Sequence, residues 1–316
     1  MPMIRIFTDP TCLEHVSPAG YPERPDRLSG ILGHLRQNGW PVADGEGADA
    51  ETARRAVLDL HDEAYVARFE RAAARGDSLL DSADNPLSAG TWRASWAAVA
   101  ATLAAADWAA EGSGRTAFAA VRPPGHHAEK ALAMGFCFFN NAAVAAEHLR
   151  RRHGVSRVAV FDFDVHHGNG TQHIFEDRAD VFYASTHQYP FYPGTGAAGE
   201  RGKGAGEGFT LNVPLPAGTG DEAYAEAIQG TVIPALRRFA PEVLIVSAGF
   251  DAWRGDPLGG MRVTEEGFRD WGAWLRELAA EVSGGRVLAV LEGGYDLVHL
   301  PRLVEANLEG LAGGRP

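Results

Sequence analysis

Short apolar runs alternate along this chain with longer stretches whose hydrophobic positions recur at helical spacing. The runs at 4–8, 117–121, 158–163, 181–185, 243–247 and 287–291 are predominantly apolar, as strands buried on both faces must be. Amphipathic or Ala-rich stretches at 90–110, 140–152, 221–239 and 264–282 predict helices between them. The third of these follows Gly-Thr-Gly and carries Asp221 and Glu222 at its start, where the helix dipole favours carboxylates. Strands alternating with helices predict an α/β fold, a three-layer α/β/α sandwich around a central, mostly parallel sheet. No repeat, low-complexity linker or composition break divides the chain, so one domain over 1–316 is expected. The longest irregular stretch, 187–208, is rich in Gly, Pro and aromatic residues, and a loop of that length in a compact domain is usually functional.

The polar residues that interrupt this pattern cluster at one end of it. His126 and His127 follow the run ending at Val121, Asp164 and His166 follow the run through Phe161, Asp251 follows 243–247, and Tyr295 follows 287–291. All sit past C-terminal strand ends, where open parallel sheets bind ligands. In extended chain, residues i, i+2 and i+4 share a face, so Asp162, Asp164 and His166 are expected to project together. Adjacent buried carboxylates are costly unless something positive neutralises them. A divalent metal does so, and an Asp with a His two residues away is a usable half-shell for zinc. The plainer alternative, caps for the next helix, does not require four such groups within six positions.

Composition narrows the remaining classes. The 316 residues are 45% hydrophobic, enough for a sizeable core, and the formal net charge of -12 argues against a nucleic-acid or anionic-membrane surface. Lys130 and Lys203 are the only lysines; with the Ala and Gly abundance, this skew reads as GC-rich bacterial coding. Two cysteines, Cys12 and Cys137, suit a reducing cytoplasm rather than a disulfide framework. The first seven residues lack the apolar core of a signal peptide, and no run approaches the ~18 apolar residues of a membrane span. A cytoplasmic location is therefore expected, and homo-oligomerisation stays open.

Four segments read together carry the functional signal: Arg-Pro-Pro-Gly-His-His-Ala (122–128), Asp-Phe-Asp-Val-His-His-Gly-Asn-Gly (162–170), Ala-Gly-Phe-Asp-Ala (248–252) and Glu-Gly-Gly-Tyr (292–295). In order and separation they resemble the histone deacetylase superfamily, which shares the arginase–deacetylase fold and includes acetylpolyamine amidohydrolases and acetoin-utilisation proteins. Segments 135–141, 192–196 and 255–260 extend the resemblance over nearly the whole chain. Asn169 and the Gly-Phe-Asp-Ala wording resemble the class II branch.

The resemblance implies a set of roles. Asp164, His166 and Asp251 would hold one catalytic zinc ion, leaving a fourth position for water and the substrate carbonyl. His127 would act as general base and then acid, while His126, held by Asp162, would orient the water. Asn169 stands where class I members carry an aspartate, and a neutral partner leaves the proton affinity of His127 lower. Tyr295 would donate a hydrogen bond to the developing oxyanion. Gly135, Phe136 and Tyr192 would line a tunnel for an acyl-lysine stem, with Tyr192 replacing the usual Phe, and Asp84 would sit at its rim. Ser185 and Thr186, with Asp162, Asp164 and His166, match a structural potassium site.

Leu258 occupies the gatekeeper position, where polyamine-selective relatives place a glutamate. Its lack of charge favours acetylated lysine of a peptide or protein as substrate. Acetylated polyamines are the alternative, supported by Ser-Ala-Gly-Thr-Trp (88–92) and the acidic composition. A non-catalytic acyl-lysine binder would need a broken Tyr295 or His127, and both are present. An arginase-like ureohydrolase would need bridging carboxylates that the flanks of Asp164 and Asp251 do not supply, and a purely structural role leaves the convergence without a reason. The Gly-rich segment 199–204 has the wrong spacing for a phosphate loop. His148 and His153 are expected at the surface, and His61, His167, His173 and His187 in supporting roles.

Overall fold

Every predicted apolar run forms a strand in the computed structural model, which describes residues 3–315. Met1, Pro2 and Pro316, part of the expected 1–316 unit and of the N-terminal reading, lie outside the described residues. In chain order the elements begin with β1 (Met3–Thr8), α1 (Pro25–Gln37), β2 (Val42–Asp44), α2 (Ala50–Leu58), α3 (Glu63–Arg75) and α4 (Thr91–Ala110). The middle holds β3 (Arg115–Ala119), α5 (Asn141–His153), β4 (Val158–Asp162), α6 (Asn169–Phe175), β5 (Val181–Gln188) and β6 (Thr210–Leu215). The chain finishes with α7 (Asp221–Ala227), α8 (Ile233–Phe239), β7 (Val243–Ala248), α9 (Glu265–Val282), β8 (Val287–Leu291) and α10 (Leu300–Ala312).

The eight strands form one sheet in the order β2-β1-β3-β8-β7-β4-β5-β6, with every pair parallel. Strands β4, β7 and β8 are buried at every residue, which requires cover on both faces. Two groups of helices supply it: α9 packs on α10 and α10 on α1, while α4 packs on α5, α2 and α3. The two strands missing from the sequence reading, β2 and β6, are the sheet's edges. An edge strand is only partly buried, so it shows no continuous apolar run; β6 even carries Pro214, whose missing N–H costs nothing on an unpaired edge.

Helix boundaries follow local chemistry. The Asn140 side chain accepts the Ala143 amide at 3.0 Å to start α5, and Gly154 ends it in the left-handed region. The predicted helix 221–239 is interrupted: residues Ile228–Val232 form a π-helical turn between α7 and α8. Pro234 lacks the N–H that would bond the Gly230 carbonyl, and the wider turn absorbs the break in the ladder. Strand β3 ends at Ala119, two residues early, because Ala120 and Val121 are buried loop; β5 runs on to Gln188 because its polar end is buried too. His148 is not at the surface as expected but buried, since α5 packs that face on α4.

Candidate active site and metal centre

Strands β3, β8, β7 and β4 are neighbours at the centre of the sheet, and their C-terminal ends are level: Ala119, Val290, Ser247 and Asp162 pair in one row. The loops beyond that row carry His126 and His127, Tyr295, Asp251, and Asp164 with His166. Residues far apart in sequence therefore meet over one edge.

The route of the 162–168 segment differs from the extended path expected. The strand stops at Asp162, and carboxylates then bond amides two residues on: Asp162 Oδ1 accepts from Asp164 N (3.1 Å) and Asp164 Oδ1 from His166 N (2.9 Å). Asp251 Oδ1 accepts from Val165 N at 2.8 Å, tying the β4 and β7 loops together. Turns held by side chains, not strand periodicity, bring these groups to one point.

At that point His166 Nδ1 lies 3.0 Å from Asp164 Oδ1 and 3.2 Å from Asp251 Oδ2. One ligand atom from each of the three residues falls within 4.8 Å of the others, a spacing that one ion can bridge. Gly249 and Gly293 keep the space clear, for a Cβ on either would collide with the Asp164 carboxylate. The charges do not balance. Burial and the neighbouring Asp164 charge push Asp251 up to about 6, while His126 and His166 overcome burial to hold Asp164 below its usual range. Against the cost of burial, the two carboxylates carry His166 up to about 10. Two buried carboxylates facing one imidazole suit a divalent cation.

The histidine pair lies beside this cluster with ring centroids 4.0 Å apart. His126 Nδ1 meets Asp162 Oδ2 at 3.0 Å; burial opposes its charge, but Asp162 and Asp164 outweigh burial and raise it to about 10. His127 goes the other way, well below its usual value, through burial and the charges of His126 and His166. Its Nδ1 is 2.7 Å from Asn169 Oδ1, an atom that only accepts, so His127 donates there and its Nε2 keeps a free lone pair. Asn169 is itself oriented, since its Nδ2 donates to Glu129 Oε1 at 2.6 Å.

Tyr295 is buried, and burial pushes its phenol well above the usual value, keeping it a hydrogen-bond donor. The Arg27 guanidinium sits 4.7 Å from its ring centroid and donates to the carbonyls of Gly294 (2.6 Å) and Glu292 (2.5 Å). Over these groups opens a pocket of about 310 Å³ lined by Asp84, His127, Gly135, Phe136, His166, Phe191, Tyr192, Leu258 and Tyr295. Phe191 stacks on His166 at 5.4 Å, and Tyr192 meets His127 edge-on at 5.1 Å. Gly135 is required where it stands: its φ is +58° and a Cβ would strike the His127 ring. At the mouth Asp84 Oδ2 accepts from the Tyr192 hydroxyl (3.0 Å) and the Gly135 amide (2.9 Å).

Ser185 and Thr186 stay in β5, outside the pocket lining, where Ser185 pairs in register with Asp162. The Thr186 hydroxyl is buried without a hydrogen-bond partner among the described residues. Four further residues escaped the sequence reading. Glu292 Oε2 accepts from the amides of Gly125 (2.6 Å) and His126 (3.0 Å), and its Oε1 from Ser247 (2.9 Å), fixing the histidine loop. Its place in the Glu-Gly-Gly-Tyr segment was a usable signal. Phe191, beside Tyr192 in the aromatic-rich 187–208 loop, has one too; Arg27 and Glu129 have none, because their importance lies in contacts across long sequence separations.

The histone deacetylase domain profile matches residues 21–311. The chain belongs to the histone deacetylase family. A histone deacetylase-like amidohydrolase of Pseudomonas aeruginosa is 40% identical over 307 residues, covering 94% of this chain and 78% of that protein. The human polyamine deacetylase HDAC10 is 38% identical over 302 residues, which are 92% of this chain and 44% of that protein. The crystal structure of the HDA15 HD domain matches with a TM-score of 0.91 at 36% identity, covering 100% of this chain and 91% of that one. The all-parallel eight-stranded sheet is thus the family's arginase-like α/β fold, and the chain is a hydrolase of the deacetylase type. No described helix is long and apolar enough to cross a membrane.

Proposed function

We propose that this histone deacetylase family member is a zinc-dependent amidohydrolase, a single catalytic domain that removes acetyl groups from lysine side chains. One observation carries the reading: an unbalanced cluster of two buried carboxylates and one imidazole lies under a narrow aromatic pocket, beside a neutral imidazole and a phenol. Asp164, His166 and Asp251 would hold the ion, and the cleared space and charge imbalance both fit a divalent cation. Bound there, zinc supplies a Lewis acid for the amide carbonyl and lowers the pKa of water.

The chain's own groups do the rest. His127 takes a proton from the attacking water through its free Nε2 and returns it to the leaving amine. Asn169 fixes the tautomer that makes this direction of transfer available. His126, held by Asp162, orients the water and offsets developing negative charge. Tyr295 donates its hydroxyl to the oxyanion, and Arg27 beneath the ring holds it in place. Phe136, Phe191 and Tyr192 wall the pocket, excluding water from a methylene stem. Ser185 and Thr186, with Asp162, Asp164 and His166, would hold a structural potassium ion, a reading the unpartnered Thr186 hydroxyl supports. Two buried free cysteines agree with a cytoplasmic enzyme.

Leu258 in the lining offers no charge to a second ammonium group, which favours acyl-lysine. The polyamine reading rests on Asp84 at the mouth, the net charge of -12 and the similarity to a polyamine deacetylase. Steady-state kinetics on an acetyl-lysine peptide and an N-acetylated polyamine decide between them. The expected result is a higher kcat/KM for the peptide, with Leu258→Glu moving preference toward the polyamine. A wild-type preference for the polyamine would overturn the substrate assignment but leave the chemistry standing.

A further inference from the structure

A second group of two imidazoles and one carboxylate lies at the opposite end of the sheet. Helix α4 leads into β3 and α5 into β4, so the last turns of both helices lie beside the strands' N-terminal ends. The deacetylase pocket lies beyond the C-terminal ends. Asp107 is in the last turn of α4, and His148 and His153 are in the last two turns of α5. Both Nε2 atoms reach the same oxygen, Asp107 Oδ1, at 2.7 Å and 2.6 Å. His148 is buried, whereas the side chains of Asp107 (25%) and His153 (23%) remain partly open to solvent. That opening gives access to an ion and to water as a further ligand.

We propose that Asp107, His148 and His153 bind a divalent ion of the borderline class, such as Zn2+ or Co2+, separately from the catalytic centre. The donor set is two imidazole nitrogens and one carboxylate oxygen, all within 4.8 Å of each other. Tetrahedral binding with bonds of about 2.0–2.1 Å separates ligand atoms by about 3.3 Å, so each imidazole must retreat by about 0.6 Å. His153 has that freedom, being the final residue of α5 before Gly154. Two helix C-termini add favourable partial negative charge. Arg150 and Arg151 are engaged by Asp180, Glu147 and Asp59, but Arg152 Nε lies 3.9 Å from Asp107 and opposes a cation. This site is therefore weaker than the catalytic one.

Equilibrium dialysis of untagged, chelator-stripped protein against Zn2+, repeated with Co2+ and followed by absorbance, tests the assignment. Wild type should take up two equivalents, the weaker lost in His153→Ala and in Asp107→Asn, with unchanged circular dichroism and unchanged deacetylase activity. Asp251→Ala should lose the tighter equivalent and keep the weaker. Uptake of only one equivalent by wild type, absent from Asp251→Ala, would overturn the second site. So would uptake of two equivalents by His153→Ala. A single equivalent lost only in His153→Ala would support this site and instead refute the catalytic metal.

Discussion

The two imidazole–carboxylate clusters share residue types but differ in whether they can satisfy themselves. Around Asp107, one carboxylate faces two imidazoles, and N–H···O bonds of 2.6 and 2.7 Å satisfy it without help. Around Asp164, two fully buried carboxylates face one imidazole at the pocket floor, with Asp251 pushed up to about 6 by burial and its neighbour. The first arrangement is a stable pin between two helices that also has the donors for an ion. The second is electrostatically incomplete until a cation arrives. Sites that do chemistry are recognisable by that incompleteness more than by their ligand count.

The largest expected effect breaks this comparison directly. Asp251→Ala should reduce deacetylase kcat to background, whereas His153→Ala, with the same number of imidazole or carboxylate groups removed, should leave it within twofold of wild type. Steady-state rates with zinc supplied check both; equal losses would mean the clusters are not functionally distinct. The next effect concerns what surrounds the proposed ion. A phenol lies over the Asp164 cluster and lines its pocket. Tyr295→Phe should lower kcat by about 10²–10³ with little change in KM, the mark of an interaction made in the transition state.

How much of this contrast the chain reveals before folding depends on the physical origin of each part. The central strands are legible because burial on both faces leaves few polar positions, and the proposed catalytic residues because each follows such a run. The edge strands β2 and β6 are not, since half-exposed backbone accepts mixed residues. Asp162, Asp164 and His166 lie together, but not by the extended path that the sequence pattern predicts; the carboxylate-to-amide turns leave no periodic trace. Arg27 lies on a helix whose Pro25, Gly30 and Gly33 obscure its pattern, and it acts on carbonyls more than 260 positions away. His148 looked like a surface residue because Asp107, its partner, sits on another helix.

A smaller effect separates the two ends of the sheet by acid sensitivity. His61 supports the pocket end: its Nδ1 lies 3.0 Å from the Glu129 carbonyl and its Nε2 accepts the Asn140 amide at 3.0 Å, next to the cap of α5. Burial depresses it to about 4, with the backbone carbonyls of Glu129 and Lys130 only partly opposing. The unfolded chain then binds this proton more readily than the fold, so stability falls as pH drops from about 6.5 toward 4. The loss should be on the order of 3 kcal/mol over that window. Urea unfolding of wild type and His61→Gln checks it: the variant should lack this portion of the acid slope.

The smallest effect belongs to the Asp107 cluster and sharpens the contrast from its side. Asp107 has its carboxyl held down by His148 and His153, against burial, so its stabilisation is present above about 3.8 and lost as pH falls below that value. The two ends therefore weaken in different windows, the Asp107 pin surviving acid that already strains the His61 frame. With a quarter of the side chain exposed, Asp107→Asn should cost only about 1 kcal/mol at neutral pH. The measurement gains force in the Asp251→Ala background, where the proposed catalytic metal site would no longer contribute binding. There, zinc at about 100 times its dissociation constant should stabilise the Asp107 protein by about 2.7 kcal/mol and the Asn variant not at all. Equal stabilisation of both would mean the second cluster is a hydrogen-bonded pin only, and the resemblance between the two ends would stop at their composition.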